Sequence, residues 1–172
     1  MLVPPTIGGT IDDGNVLASV FAVDDPEARS PARVRAQPSW WLNQAAAVAN
    51  RLVADELADL GARRHHVSLL AALDETGPAS QADLGRRTWI DRSDVVAALD
   101  QLAAADLVVR EPDPSDRRRN VVRLTPAGRR HLAKLDRRLA RAQEALLADL
   151  DEPEREQLLA LLRRVVTTAH DA

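Results

Sequence analysis

Between Ser80 and Pro126 the order of helix starts, turns and β-rich runs narrows the folds open to this chain. Ser80 followed by Asp83 has the spacing of a capping box and predicts a short helix to about Arg87. After the turn Thr88-Trp89-Ile90 the same spacing recurs at Asp91 and Asp94, predicting a second helix to about Ala105. Two β-rich runs follow, LVVRE (107–111) and RNVVRL (119–124), on either side of the turn-forming DPSDRR. They predict a hairpin whose loop is longer than two residues. Thr125-Pro126 then supplies an N-cap with proline at the first helical position. Helix, short turn, helix and an arginine-bearing hairpin together predict a winged helix-turn-helix.

The flanks predict helices. Ser39 is the expected N-cap of a helix to about Leu60, stopped by Gly61, and a second helix is expected from about Arg64 to Glu75, ending at Gly77-Pro78. After Pro126 the helix is expected to reach about Leu150. Leu132, Leu135, Leu139, Ala142, Leu146 and Leu150 form an apolar seam at three- and four-residue steps. A last helix carrying Leu158, Leu159, Leu161, Leu162, Val165 and Val166 is expected to run to about Thr168. Residues 1–38 hold five prolines and no sustained helical period, and read as an arm that is partly extended or disordered. The predicted fold is mostly α with a small β-hairpin wing. Its expected parts are the arm 1–38, a helical dimerisation region (39–60 and 126–172) and a DNA-binding lobe (61–125).

Composition removes several functional classes. With no cysteine there is no disulfide framework, thiolate metal site or thiol switch. No apolar run approaches the ~18 residues of a membrane span, and the first residues lack the pattern of a secretory signal, so a soluble cytoplasmic protein is expected. No G-x-S-x-G, glycine-rich phosphate loop or H-E-x-x-H motif is present, and no enzyme, cofactor or metal site is expected.

Net charge is −3, but it is unevenly spread. Residues 110–141 hold eleven basic against four acidic residues, a net +7. Such a segment is the electrostatic footprint a phosphate backbone would need, although a lone charge run is more often a solvated face. In the second helix Val95, Ala98, Leu99 and Leu102 share one face and are expected to pack inward. Arg92, Ser93, Val96, Ala97 and Asp100 are left outward, where short or Arg side chains near the helix start can reach base edges in a major groove. Arg117, Arg118 and Arg119 stand beside Asp116 in the hairpin turn. An Arg there can enter the minor groove, with Asp116 holding its guanidinium.

Residues 90–130 resemble the MarR family of bacterial transcription regulators. The wing signature D-x-R…L-T-x-x-G is met by Asp116-Arg117-Arg118 and Leu124-Thr125-Pro126-Ala127-Gly128, and helices of the expected order extend the likeness over about 39–168. The resemblance implies a homodimer joined through its terminal helices, a recognition helix at 91–105 and a minor-groove Arg at Arg118. The site it implies comprises Arg92, Ser93, Asp94, Val96, Ala97, Arg117, Arg118 and Arg119, reading a pseudo-palindromic operator in double-stranded DNA. Asp94 and Ala97 depart from the family's usual neutral and basic residues. Asp106 replaces its usual glycine, a position that tolerates Asp in the left-handed conformation.

Members of the family are often released from DNA by small phenolic or aromatic acids. Trp40, Trp41, Arg51, Arg64, His65 and His66 are the candidates here, by stacking and ion pairing. Tryptophans at helical positions are more often core or interface anchors, and the adjacent His65 and His66 point about 100° apart and cannot form an i, i+4 metal pair. The expected function is a homodimeric repressor released by such a ligand. The rival is a winged-helix protein-interaction module without sequence-specific DNA binding, which Asp94 and Asp100 on the outer face favour slightly.

Overall fold

Proline, glycine and capping side chains set nearly every boundary in the folded chain. The structure, a computed structural model, describes residues 30–112 and 120–170. Its elements are α1 (Ala32–Arg35), α2 (Pro38–Ala58), α3 (Arg64–Thr76), α4 (Gln81–Thr88), α5 (Arg92–Ala104), β1 (Val108–Pro112), β2 (Asn120–Leu124), α6 (Pro126–Leu146) and α7 (Glu152–His170). The chain is mostly helical with one small antiparallel sheet, as expected from its sequence. Among the described residues no helix is long and apolar enough to cross a membrane.

Two compact units divide the chain, Met1–Gln44 and Ala45–Ala172. In the first, the short helix α1 occupies part of what the sequence suggested was an extended arm; residues 1–29 lie outside the described residues. The next helix begins at Pro38, one residue ahead of the expected cap Ser39. Proline's fixed φ suits the first helical position, and the Gln37 carbonyl accepts the Trp40 N–H at 3.1 Å, so Ser39 falls inside the helix. Trp40 and Trp41 meet edge to face with ring centroids 4.6 Å apart. The Trp41 Nε1–H donates to the Arg35 carbonyl at 2.9 Å.

The second unit is built around one apolar core. Leu57 of α2, Leu69, Leu70 and Leu73 of α3, Leu84 of α4, Leu99 and Leu102 of α5, Val108 and Val122 of the hairpin and Leu135 of α6 are all fully buried. The elements from α2 to α6 therefore share a single close-packed interior, and a large-to-small change at any of these positions costs roughly 2–5 kcal/mol. Gly61, at φ 59°, ends the turn after α2, and Gly77, at φ 76°, ends α3. The strands pair Val108 with Leu124 through Pro112 with Asn120, and Ala79 adds a third edge by exchanging two backbone bonds with Val122 at 3.1 and 2.8 Å.

Two helix ends differ from expectation. The seam helix α6 stops at Leu146, not Leu150, because its exit is pinned from the next helix. The Arg155 guanidinium donates to the carbonyls of Leu147 and Leu150, at 2.9 and 3.0 Å, and pairs with Glu144 at 2.9 Å. The reciprocal capping box expected at Asp91 is instead made at Asp151. Its carboxylate accepts the Glu154 N–H at 3.0 Å while the Glu154 carboxylate accepts the Asp151 N–H at 2.9 Å. Asp91 occupies the N-cap position of α5 without a side-chain capping bond.

Candidate nucleic-acid interface

Ser80 starts the helix-turn-helix as its sequence suggested. Its hydroxyl accepts the Asp83 N–H at 3.2 Å and donates to the Asp83 carboxylate at 2.6 Å. That hydrogen bond, joined by Arg86, holds the Asp83 carboxyl below its ordinary value. Across the turn, α5 buries Val95, Ala98, Leu99 and Leu102 and leaves Arg92, Ser93, Asp94, Val96 and Ala97 exposed. The division into an inner and an outer face is the one read from the sequence. Asp100 is also outward, but Arg110 of β1 pairs with it at 2.6 Å. This acidic residue is therefore partly neutralised by the neighbouring hairpin.

Arg110 lies on the same face of β1 as the buried Val108, which turns it back toward α5. Sequence reasoning counted it only as part of a basic segment; the strand alternation was the signal that could have placed it. With Arg92, Ser80, Gln81 and Asn120 it lines a concave surface of about 440 Å³ at the start of the second helix. Its polar groups are hydroxyl, amide and guanidinium donors, and the first N–H groups of a helix start lack intrahelical partners. Such a surface suits an anionic backbone. Asp116, Arg117, Arg118 and Arg119 lie outside the described residues, between the paired ends Pro112 and Asn120.

The base of the hairpin is locked to the helices. Thr125 caps α6 by accepting the Gly128 N–H at 2.9 Å, and its hydroxyl donates to the Asp106 carbonyl at 2.8 Å. Its backbone N–H donates to the Leu107 carbonyl at 3.1 Å. A side chain at Gly128 would place Cβ 2.1 Å from the Leu107 carbonyl oxygen and 2.7 Å from Leu124 Cδ1, so only glycine fits this approach. Asp106 is left-handed at φ 55°, as anticipated for Asp standing where a glycine is usual. The L-T-x-x-G half of the signature thus has a mechanical meaning: it fastens the wing to the exit of α5 and the start of α6.

A sequence model of the MarR family matches residues 60–119. A probable transcriptional regulator of Pseudomonas aeruginosa, known from its crystal structure, is 34% identical, with 75% of this chain and 96% of that one covered at a TM-score of 0.69. The chain belongs to the MarR family. BpsR of Bordetella bronchiseptica, whose DNA binding is regulated by 6-hydroxynicotinic acid, is 26% identical, with 80% of this chain and 98% of that one covered at a TM-score of 0.72. NicR, an HTH-type transcriptional repressor of Pseudomonas putida, is 34% identical over 103 residues, 60% of this chain. The matched segment spans 65% of NicR, just under two thirds of that relative's length.

In this MarR-family chain the six residues considered for an effector fall in both units. Trp40 and Trp41 belong to the first unit. Arg51 and His65 are exposed, and Arg64 donates to the Asn50 side chain at 2.7 Å. Only His66 is buried. Its Nδ1 accepts the Arg63 N–H at 3.3 Å, which leaves the proton on Nε2 to donate to Gln101 Oε1 at 2.9 Å. A cavity of about 510 Å³ opens beside it, with Leu60, Leu102 and Leu107 as apolar walls and His66, Gln101 and His131 as polar groups. His131 is partly buried because α6 carries it over the end of α5. Burial lowers the pKa of His66, against its bond to Gln101, with nearby Arg63 adding to the fall; His131 is lowered by burial and Lys134.

Proposed function

We propose that the chain is a homodimeric, sequence-specific DNA-binding repressor that a small phenolic or aromatic acid releases from its operator. The observation that carries this reading is the outer face of α5. Small and arginine side chains stand clear of solvent-excluding neighbours there, beside a donor-lined surface built by Arg92, Arg110 and Asn120. Arg92, Ser93, Asp94, Val96 and Ala97 would meet base edges in the major groove. Arg117, Arg118 and Arg119, steadied by Asp116, would meet the minor groove and its flanking phosphates. The expected partition assigns residues 61–125 to DNA and residues 39–60 and 126–172 to a second copy. Half-sites would then repeat about one helical turn apart.

The rival reading as a protein-interaction module loses part of its support, since Asp100 is paired with Arg110. Binding to a labelled duplex from the region upstream of the gene, titrated with salt, separates the two. A regulator gives a steep salt slope and prefers that duplex over random sequence by about a thousandfold or more. A shallow slope, or equal affinity for both duplexes, refutes specific recognition.

For the effector, the cavity beside His66 is the best supported site. Its walls include Gln101 and Leu102 of α5 and His131 of α6, so an occupant would bear on the reading helix and the long helix together. The His131 imidazole and the Gln101 amide N–H group offer donors and acceptors to a ring hydroxyl or carboxyl group, with His66 holding Gln101 in place. A panel of hydroxylated aromatic acids should raise the melting temperature and release the labelled duplex. Variants His131→Leu and Gln101→Leu should lose both responses, and a full response in both variants rules out this cavity.

A further inference from the structure

Among the described residues His66 is the one ionisable side chain buried with the core, at 6% exposed, and both of its ring nitrogens are engaged. It stands three residues past the N-cap of α3, where a capping box carries Glu or Gln, and its Nδ1 accepts the Arg63 N–H at 3.3 Å. A backbone N–H can only donate, so Nδ1 is the bare nitrogen and Nε2 carries the proton given to Gln101 Oε1 at 2.9 Å. Gln101 belongs to α5, and the residue before it, Asp100, is tied to Arg110 of β1. Consecutive residues thus anchor the second half of the reading helix, one to the hairpin and one to the start of α3.

This pair of bonds exists only while the ring is neutral. A proton on Nδ1 turns it from acceptor to donor and sets it against the Arg63 N–H, so the ring must swing away and release Gln101. The surroundings do not welcome the new charge. Among the described residues the titratable groups acting on the ring are Arg63 and His65 from its own segment and His131 from α6, with Lys134 beside His131, each of them cationic when charged. From α5 it meets the neutral Gln101, and the other residues of the cavity wall carry no charge. The free N–H groups at a helix start also disfavour a cation. Burial lowers the pKa of His66 against its bond to Gln101, with Arg63, His131 and His65 adding to the fall, so the ring is neutral at pH 7 and charges below pH 6.5. The cavity of about 510 Å³ on the same side gives a released ring and amide room to turn.

We propose that His66 is a proton-operated latch on α5: the neutral ring ties Gln101 of the reading helix to the start of α3, and a proton on the ring opens the tie and lowers operator affinity. This rests on the repressor reading above. The sign is the reverse of plain electrostatics, in which extra positive charge near a phosphate backbone strengthens binding as pH falls. By linkage, bound operator in turn makes the ring harder to protonate.

The test uses the full-length protein at fixed salt between pH 7.5 and 5.5, with affinity for a labelled upstream duplex and circular dichroism followed together. Wild-type affinity is expected to fall by about fivefold or more while the native dichroism is kept. His66→Gln should lose this pH dependence. Gln101→Ala, which takes no side chain out of the core, should bind more weakly already at pH 7.5 and show no further fall. A wild type whose affinity holds or rises toward pH 5.5 overturns the proposal. So does a fall that persists in both variants, or one that tracks the loss of native dichroism. The latch is also visible without DNA: nitrogen-edited NMR of the imidazoles should show His66 protonated on Nε2 alone at pH 7.5, and the Gln101 amide signal should shift with the midpoint of that ring. Wild-type protein that binds no duplex at pH 7.5 fails the repressor reading instead. The spectra then decide the latch, and a His66 ring that titrates without moving the Gln101 signal refutes it.

Discussion

Arg92 occupies the first turn of α5 and is exposed, while the helix buries Val95, Ala98, Leu99 and Leu102, so its removal takes no side chain out of the core. Arg92→Ala should therefore melt with wild type yet lose discrimination between the upstream duplex and random DNA, by roughly 1–3 kcal/mol for a bidentate guanine contact. Unchanged discrimination in a binding titration would remove Arg92 from base reading. His66 makes the opposite case, a polar residue whose role is internal. Its pKa is lowered in the fold, so below the ordinary value of 6.5 the unfolded chain takes up protons that the folded chain resists. Stability then falls as pH drops through that value, and His131 acts in the same direction. Melting followed between pH 7.5 and 5.5 should show this decline, and His66→Gln together with His131→Gln should flatten it. Asp83 does not interfere in this window, because its contribution is lost only when pH falls below the ordinary carboxylate value of 3.8.

At the scale of elements, the hairpin works because α6 starts against it. Gly128→Ala forces a methyl into the Leu107 carbonyl, which backbone movement alone can relieve. We expect a loss of about 3 kcal/mol, or about 10 °C in Tm for a chain of this length. A variant melting within about 2 °C of wild type would show that the contact is soft. The elements themselves were largely legible in the amino-acid order. Ser80 and Thr125 cap where their spacing says, Gly61 and Gly77 stop helices, and the inward positions of α5 follow from a 3.6-residue period. What escaped was set by contacts between elements. Arg155 shortens α6 from the following helix, Arg110 reaches Asp100 only once the hairpin folds, and His131 is drawn over a cavity closed by Gln101. None of these is a helix or strand preference, so hydrophobic periodicity and capping patterns do not carry it. The left-handed backbone of Trp89 in the turn before α5 became evident only in the fold.

At the scale of the whole molecule, α7 leaves Leu159, Leu161, Val165 and Val166 between 48% and 57% exposed. At 100° per residue they form two exposed apolar pairs, Leu159 with Val166 and Leu161 with Val165, and we propose that a two-fold partner packs against the second pair. Leu161→Glu with Val165→Glu should convert the proposed dimer to a folded monomer in sedimentation and weaken operator binding severely, since two half-sites are no longer held together. Sedimentation of the wild type as a monomer at micromolar concentration would refute the arrangement. The glycine contact at the root of α6 bears on this larger assembly. Because nothing larger than a hydrogen atom fits between Gly128 and the Leu107 carbonyl, the hairpin root cannot slide on the long helix. In the proposed dimer each hairpin root would then be held to the long helix beside it, and substitutions on the outer face of α5 would rewrite the letters without loosening that hold.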